Sequence, residues 1–121
     1  MKIFIDAFID SIDTLRVLLA LAKNPGQDWT ESEMARTVGF TPEVTSRELE
    51  KMARLGFASQ HAGERPTFRY HPRAAEFDLL IKELIELDNH MPVTLIRMVY
   101  SRPPSTSAAQ AFAEAFRLRK P

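Results

Sequence analysis

Cysteine is absent from all 121 residues. Its absence excludes disulfides, thiolate metal ligation and a cysteine nucleophile, and it fits a reducing compartment. No apolar run approaches the roughly 18 residues needed to span a bilayer. The opening stretch Met1–Ile9 is apolar but is broken by Asp6, and Asp10 and Asp13 follow soon after. A secretory leader would instead place basic residues first and an unbroken apolar run behind them. The chain is therefore expected to be soluble, unprocessed and cytoplasmic, with no membrane partner. Net charge is missing too, since 16 basic residues balance 16 acidic ones, which argues against strong nonspecific adhesion to nucleic acid. The sequence contains no nucleophile elbow, phosphate-binding glycine loop, H-E-x-x-H pair or dinucleotide fingerprint. The histidines are His61, His71 and His90 alone. His61 and His71 are placed to face one another across a hairpin, where a surface or packing role outweighs metal binding. The carboxylates from Asp78 to Asp88 alternate around their helix instead of converging. No enzyme activity, cofactor or metal is expected.

What is present is ordinary globular composition, 45% hydrophobic and 26% charged, in a chain of single-domain length. Charge is unevenly distributed along it. Residues 74–96 hold one basic and five acidic side chains, a local −4, and residues 97–121 hold five basic and one acidic, a local +4. Such segments can pair within a subunit or across a dimer, or can simply be two solvated faces.

Apolar spacing predicts a first helix over most of residues 3–23, with Ile5, Phe8, Ile12, Leu15, Leu19 and Ala22 forming one stripe. Asp10 and Ser11 can cap a restart, so one bent helix and two short ones both fit. Asn24-Pro25-Gly26 ends the segment. Thr30 caps a second helix, with Glu33 completing a capping box and Met34, Ala35 and Val38 facing inward. After the Gly39 turn, Thr41 caps a third helix with Pro42 at its first position, and the helix runs to Leu55 before Gly56. Two extended runs, Phe57–His61 and Thr67–His71, are joined by Ala62-Gly63-Glu64-Arg65-Pro66 and predict a hairpin. Pro72 opens a fourth helix reaching about Asn89, with Phe77, Leu80, Ile81, Leu84 and Leu87 on its apolar face. Over residues 92–101 the Val, Thr, Ile and Tyr suit a strand, but Leu95, Ile96, Met98 and Val99 suit a short buried helix, which is the expectation. A Pro/Ser-rich loop, Ser101–Ser107, then leads to an alanine-rich helix, Ala108–Arg119, carrying Phe112 and Phe116.

This order of elements is that of a winged helix-turn-helix, mainly α with a small β-hairpin and with extra N- and C-terminal helices. Leu15-Arg16-Val17-Leu18 through Asn24-Pro25-Gly26, followed by Trp29-Thr30-Glu31-Ser32-Glu33-Met34-Ala35, resembles the opening of ArsR- and MarR-like transcriptional regulators. Gly39-Phe40-Thr41 looks like the family turn. Ser46-Arg47-Glu48-Leu49-Glu50-Lys51-Met52 with Leu55-Gly56-Phe57 is similar to the recognition helix and first wing strand, and Arg69-Tyr70-His71-Pro72 resembles the close of the wing. The resemblance spans about residues 12–87. Thr45 departs from it, standing where the family usually buries a valine, and so do Glu43, Glu48 and Glu50, which make the reading helix acidic. The Cys or His/Asp metal-sensing pairs of some relatives have no counterpart here.

The resemblance implies a regulator that binds double-stranded DNA, with helix 41–55 in the major groove and wing 57–71 on the backbone or minor groove. With Thr45, Leu49 and Met52 inward, the outward side comprises Pro42, Glu43, Ser46, Arg47 and Glu50. Arg47 suits a guanine edge, Ser46 a base or phosphate, Glu43 a cytosine amino group and Val44 a thymine methyl. Backbone donors at the Thr41 end suit phosphate. Arg65 at the wing tip suits a minor groove or phosphate, and Lys51 and Arg69 suit phosphate. The alternative for all of these is a solvated helix face. Residues 1–90 form the expected DNA-binding domain, and residues 91–121 an extension for dimerisation or partner binding. The excess of Ile5, Phe8, Ile9, Ile12, Phe112 and Phe116 fits a homodimer built from both chain ends, or else a cover for the chain's own core. A rival function is a winged-helix interaction module that recruits a protein through the basic aromatic tail Ala111–Lys120 without reading DNA. RNA binding ranks last, because no aromatic stacking platform is present.

Overall fold

The computed structural model describes residues 1–101. The helix expected over Ala108–Arg119 and the tail Ala111–Lys120 lie outside them.

The N-terminal stripe resolves into two helices, α1 (Lys2–Phe8) and α2 (Ile12–Lys23). The restart at Ser11 is a true cap, its hydroxyl accepting from Thr14 N at 3.2 Å. Strand β1 (Trp29–Thr30) runs directly into α3 (Glu31–Val38), whose capping box joins Thr30 and Glu33 in both directions. The same box holds the Glu33 carboxyl below its ordinary range, through the Thr30 backbone N–H first and then the Thr30 hydroxyl. Gly39 and Gly56 adopt positive φ, 78° and 85°, ending α3 and α4 (Pro42–Leu55) as expected of glycine at these positions. The wing is β2 (Ala58–His61) and β3 (Thr67–Tyr70), followed by α5 (Ala75–His90) and α6 (Pro92–Tyr100). Residues 92–100 are thus helical, in line with the expectation.

The sheet has three strands in the order β1-β3-β2, all antiparallel, where a two-stranded hairpin was expected. Trp29 opposes Phe68 and Thr30 opposes Thr67, so β3 is the central strand. The register also corrects one expectation: His61 opposes Thr67, while His71 N donates to Phe57 O at 2.9 Å, and the two histidines do not face each other.

Among the described residues one apolar cluster takes side chains from every helix and from the sheet, with Leu18, Leu21, Met34, Leu49, Met52, Phe57, Ile81, Leu84 and Leu95 all fully buried. Thus α6 packs into the same core as the rest, against α5 and α1. Phe4, Phe8, Phe57 and Phe77 form a tetrad in which all six ring pairs lie 5.3–6.4 Å apart, three tilted and three edge-on. With Ile5 and Ile9 fully buried as well, the N-terminal stripe mainly covers the chain's own core, the second of the two roles it allowed. The large apolar side chains still exposed among the described residues are Ile3, Leu79, Met91, Val93, Ile96 and Tyr100, mostly on α5 and α6. No helix of the described residues is long and apolar enough to cross a membrane.

Candidate nucleic-acid interface

Helix α4 is fixed at its start before it is packed. The Thr41 hydroxyl accepts from Val44 N at 3.3 Å, Pro42 occupies the first turn, and Thr45 Oγ1 donates back to Thr41 O at 2.8 Å. That last bond satisfies the Thr45 hydroxyl, so the side chain can be fully buried. Thr45, Leu49 and Met52 all face the core, as their spacing requires. Pro42, Glu43, Arg47 and Glu50 are exposed, and Thr41 is exposed beside them.

Glu48 is the departure. Grouped from the sequence with the acidic outer face, it is only 2% exposed and points toward α2. Its Oε2 accepts a 2.7 Å hydrogen bond from Thr14, itself fully buried, and lies 3.3 Å from Lys51 Nζ. Lys51, expected to contact phosphate, instead closes this network. Its ammonium donates to both Asp10 oxygens at 3.0 and 3.1 Å and to Thr14 Oγ1 at 3.1 Å, and its side chain is 17% exposed. A buried carboxylate needs such company, because an unpaired charge out of water costs several kcal/mol, roughly.

The sequence did carry a signal for this pairing. Glu48 falls on the same side of the helix as Thr45 and Met52, and Thr14 interrupts the apolar stripe of α2. Two polar residues on two inward faces are the mark of a buried polar contact. What the spacing could not show is that the two positions meet.

Other expected contacts are distributed unevenly. Ser46 is half-buried and donates to Glu31 Oε1 at 3.0 Å, which joins α4 to α3. Arg69, 45% exposed, is paired with Asp28 through two bonds of 2.9 Å. Arg65 is exposed on the wing loop, beside Thr30, Glu31, Ser32, Glu64 and Pro66, which line a shallow cavity of about 360 Å³. Arg47 keeps a side chain 66% exposed, with Nε 3.8 Å from Glu48 Oε1. With Glu48 turned inward, the outer face of α4 carries Glu43 and Glu50 against Arg47 and Arg54 and is nearly balanced in sign.

Tyr70, at the end of β3, donates to Asp78 Oδ1 at 2.8 Å and ties the wing to α5. Burial first, and then this bond, push the Tyr70 hydroxyl well above its usual range. Asp78 is held low by Lys82 and by Tyr70. Among the described residues no group of three His, Cys, Asp or Glu side chains is arranged to hold a metal.

No protein-family model matches the sequence, and no curated protein matches it. Solved structures do share its fold. MepR, a transcription regulator of the Staphylococcus aureus multidrug efflux pump MepA, is similar at a TM-score of 0.55 and 14% identity over 97% of this chain and 86% of its own. A possible transcriptional regulator from Methanosarcina mazei Go1 is similar at 0.53 and 10% identity, covering 98% of this chain and 87% of that one. RV1404 from Mycobacterium tuberculosis is similar at 0.52 and 16% identity, covering 95% and 81%. The chain has the winged helix-turn-helix fold that these proteins share.

Proposed function

We propose that the chain is a DNA-binding transcriptional regulator that presents α4 to the major groove and the wing to the flanking backbone or minor groove. The observation that carries this reading is the division of α4. Its inner face is fixed in the core, while its capped N-terminal half leaves Thr41, Pro42, Glu43 and Arg47 exposed beyond the Gly39 turn. The fold shared with described transcription regulators supports the same reading. Arg47 offers a two-pronged donor to a guanine edge, Glu43 an acceptor to a cytosine amino group, and Ser46 a weaker contact. The backbone donors at the start of α4 suit a phosphate, and Arg65 reaches the neighbouring groove. Lys51 and Arg69 are paired with carboxylates in the free chain, so a phosphate would have to compete with Asp10 and Glu48 for one and with Asp28 for the other.

A two-fold homodimer would set two reading helices on one face of the duplex. The exposed side of α6, where Val93, Ile96 and Tyr100 recur within one stripe, supports such a contact better than α1 does. Residues 91–121 would then serve association or the binding of a protein partner.

The test is a salt-dependent titration of the full chain against short duplexes of random sequence and against duplexes selected from that pool. Arg47→Ala is expected to weaken the selected duplexes by about 1–3 kcal/mol, the usual worth of a bidentate base contact. Arg65→Ala should cost less and act evenly on both sets. If the protein binds neither set at low salt, or if both variants keep wild-type affinity while folded, α4 does not read DNA, and a role in binding protein replaces this one.

A further inference from the structure

The network beneath α4 holds more polarity than packing needs. Apolar side chains can close a core at such a place, and exchanging a buried ion pair for well-packed apolar groups is often neutral or favourable. A hydrogen-bonded group adds direction. Leu49 and Met52 hold α4 by contact area, which tolerates a small roll of the helix about its axis. The 2.7 Å bond from Thr14 to Glu48 tolerates much less.

The two oxygens of Glu48 share Lys51 and otherwise face different neighbours. Oε2 meets Thr14 and Lys51, whereas Oε1 lies 3.8 Å from Nε of Arg47 and 3.4 Å from Lys51 Nζ. One buried carboxylate is therefore hydrogen-bonded to the inner anchor and lies within ion-pair range of the exposed arginine. Behind it, the Thr14 hydroxyl lies 2.7 Å from Asp10 Oδ1 and 3.1 Å from Ser11 Oγ, the cap of α2. The anchor thus ends at the α1–α2 junction.

We propose that Glu48 is a positioning residue for Arg47: its carboxylate, held from behind by Thr14 and Lys51, sets the roll of α4 and the direction in which the guanidinium leaves the helix. The functional meaning rests on α4 being the DNA-reading helix, whereas the positioning itself is a property of the free protein. An arginine held in one direction discriminates between base edges, because the competing orientations have already been removed. A freely swinging arginine still attracts phosphate but reads less. Glu48 therefore contributes to discrimination more than to attraction.

The experiment uses the full chain with Glu48→Gln and, separately, Thr14→Val, each checked for a cooperative melt. Nitrogen relaxation of the Arg47 Nε–H group reports its mobility without DNA. Binding to random duplexes and to duplexes selected by the wild-type protein reports discrimination. Both variants should mobilise Arg47 Nε and lower the ratio of selected to random affinity by about ten-fold, within the range of one bidentate contact, while random-duplex affinity changes little. In an Arg47→Ala background, Glu48→Gln should leave that ratio where it is. Unchanged Arg47 mobility in a folded variant overturns the proposal, as does an equal loss of discrimination when Arg47 is already replaced. If the wild-type protein selects no duplex, the DNA reading fails and relaxation alone decides the positioning. If Glu48→Gln does not fold, Thr14→Val carries the same measurements.

Discussion

Asp28 and Arg69 are joined like two forks, Nε to Oδ1 and Nη2 to Oδ2, both at 2.9 Å, although the side chains are 45% exposed. The pair connects the loop before β1 to the central strand, and it occupies two of the guanidinium donors that a phosphate would want.

Asp28→Ala should therefore release Arg69 toward DNA. The expected outcome is tighter binding of random duplex with a steeper salt dependence, by about one phosphate contact. Arg69→Ala should leave duplex affinity nearly unchanged and cost stability no more than about 1 kcal/mol, since the pair is solvent-screened. Fluorescence anisotropy across a salt series measures both. Equal losses from Arg69→Ala and Arg65→Ala would show that Asp28 does not withhold the arginine.

The two positive-φ glycines should differ under substitution. Gly39 has open space around it, so Gly39→Ala meets only the backbone cost of the left-handed region, about 1–2 kcal/mol. A Cβ at Gly56 would come within 2.5 Å of Arg73 Cδ, and the Arg73 guanidinium lies over the Phe77 ring at 5.1 Å. Gly56→Ala should thus cost more, because Arg73 must leave its place. Urea unfolding of the two variants gives the comparison, and equal destabilisation would contradict it.

Alkaline pH should loosen the wing. Tyr70 is raised in the folded state above its ordinary value of 10.0, so its hydroxyl stays protonated where the unfolded chain has begun to ionise. The unfolded state then binds fewer protons, and stability falls as pH rises above about that value. Below it the contribution is fully present. Asp78 and Glu33 act in the opposite sense: both are lowered when folded, so their contributions hold above the ordinary carboxylate range and fade as pH falls through it. Tyr70→Phe should flatten the alkaline limb of a stability–pH curve and leave most of the acid limb. A Tyr70→Phe protein with the wild-type alkaline limb would refute the assignment.

Association should depend on the outer stripe of α6. Val93→Lys or Ile96→Glu is expected to shift a dimer toward monomer in light scattering without lowering secondary-structure content, because both side chains are exposed within the chain. A wild-type mass near that of one chain, 13.8 kDa, at every concentration would remove the dimer.

Much of this fold was legible because its punctuation is local. Thr30 with Glu33, Gly39, Thr41 with Pro42, and Gly56 each mark a boundary through chemistry confined to a few residues, and each boundary lies where that chemistry puts it. β1 was not legible. Two residues, Trp29 and Thr30, have no periodicity to read, and they are a strand only because β3 pairs with them. The hairpin register was also hidden, since a five-residue connection does not fix which side chains oppose. At the candidate interface the outward positions of Pro42, Glu43 and Arg47 followed from helical spacing. The engagement of Lys51 and Arg69 did not, because Asp10 and Asp28 lie 41 residues away in the chain.

The phenylalanine tetrad also bears on the order in which the molecule is assembled. Phe4 and Phe8 of α1 have their ring partners on Phe57, at the start of the wing, and on Phe77 of α5. During synthesis α1 leaves the ribosome long before either partner does, at about 5–20 residues per second. Until then its apolar face stays wet, and the contacts that reward it are long-range ones, which close slowly. A helix made before both of its partners is thus seated late, and a substitution such as Phe4→Ala should raise aggregation during expression more than its effect on the finished fold would suggest.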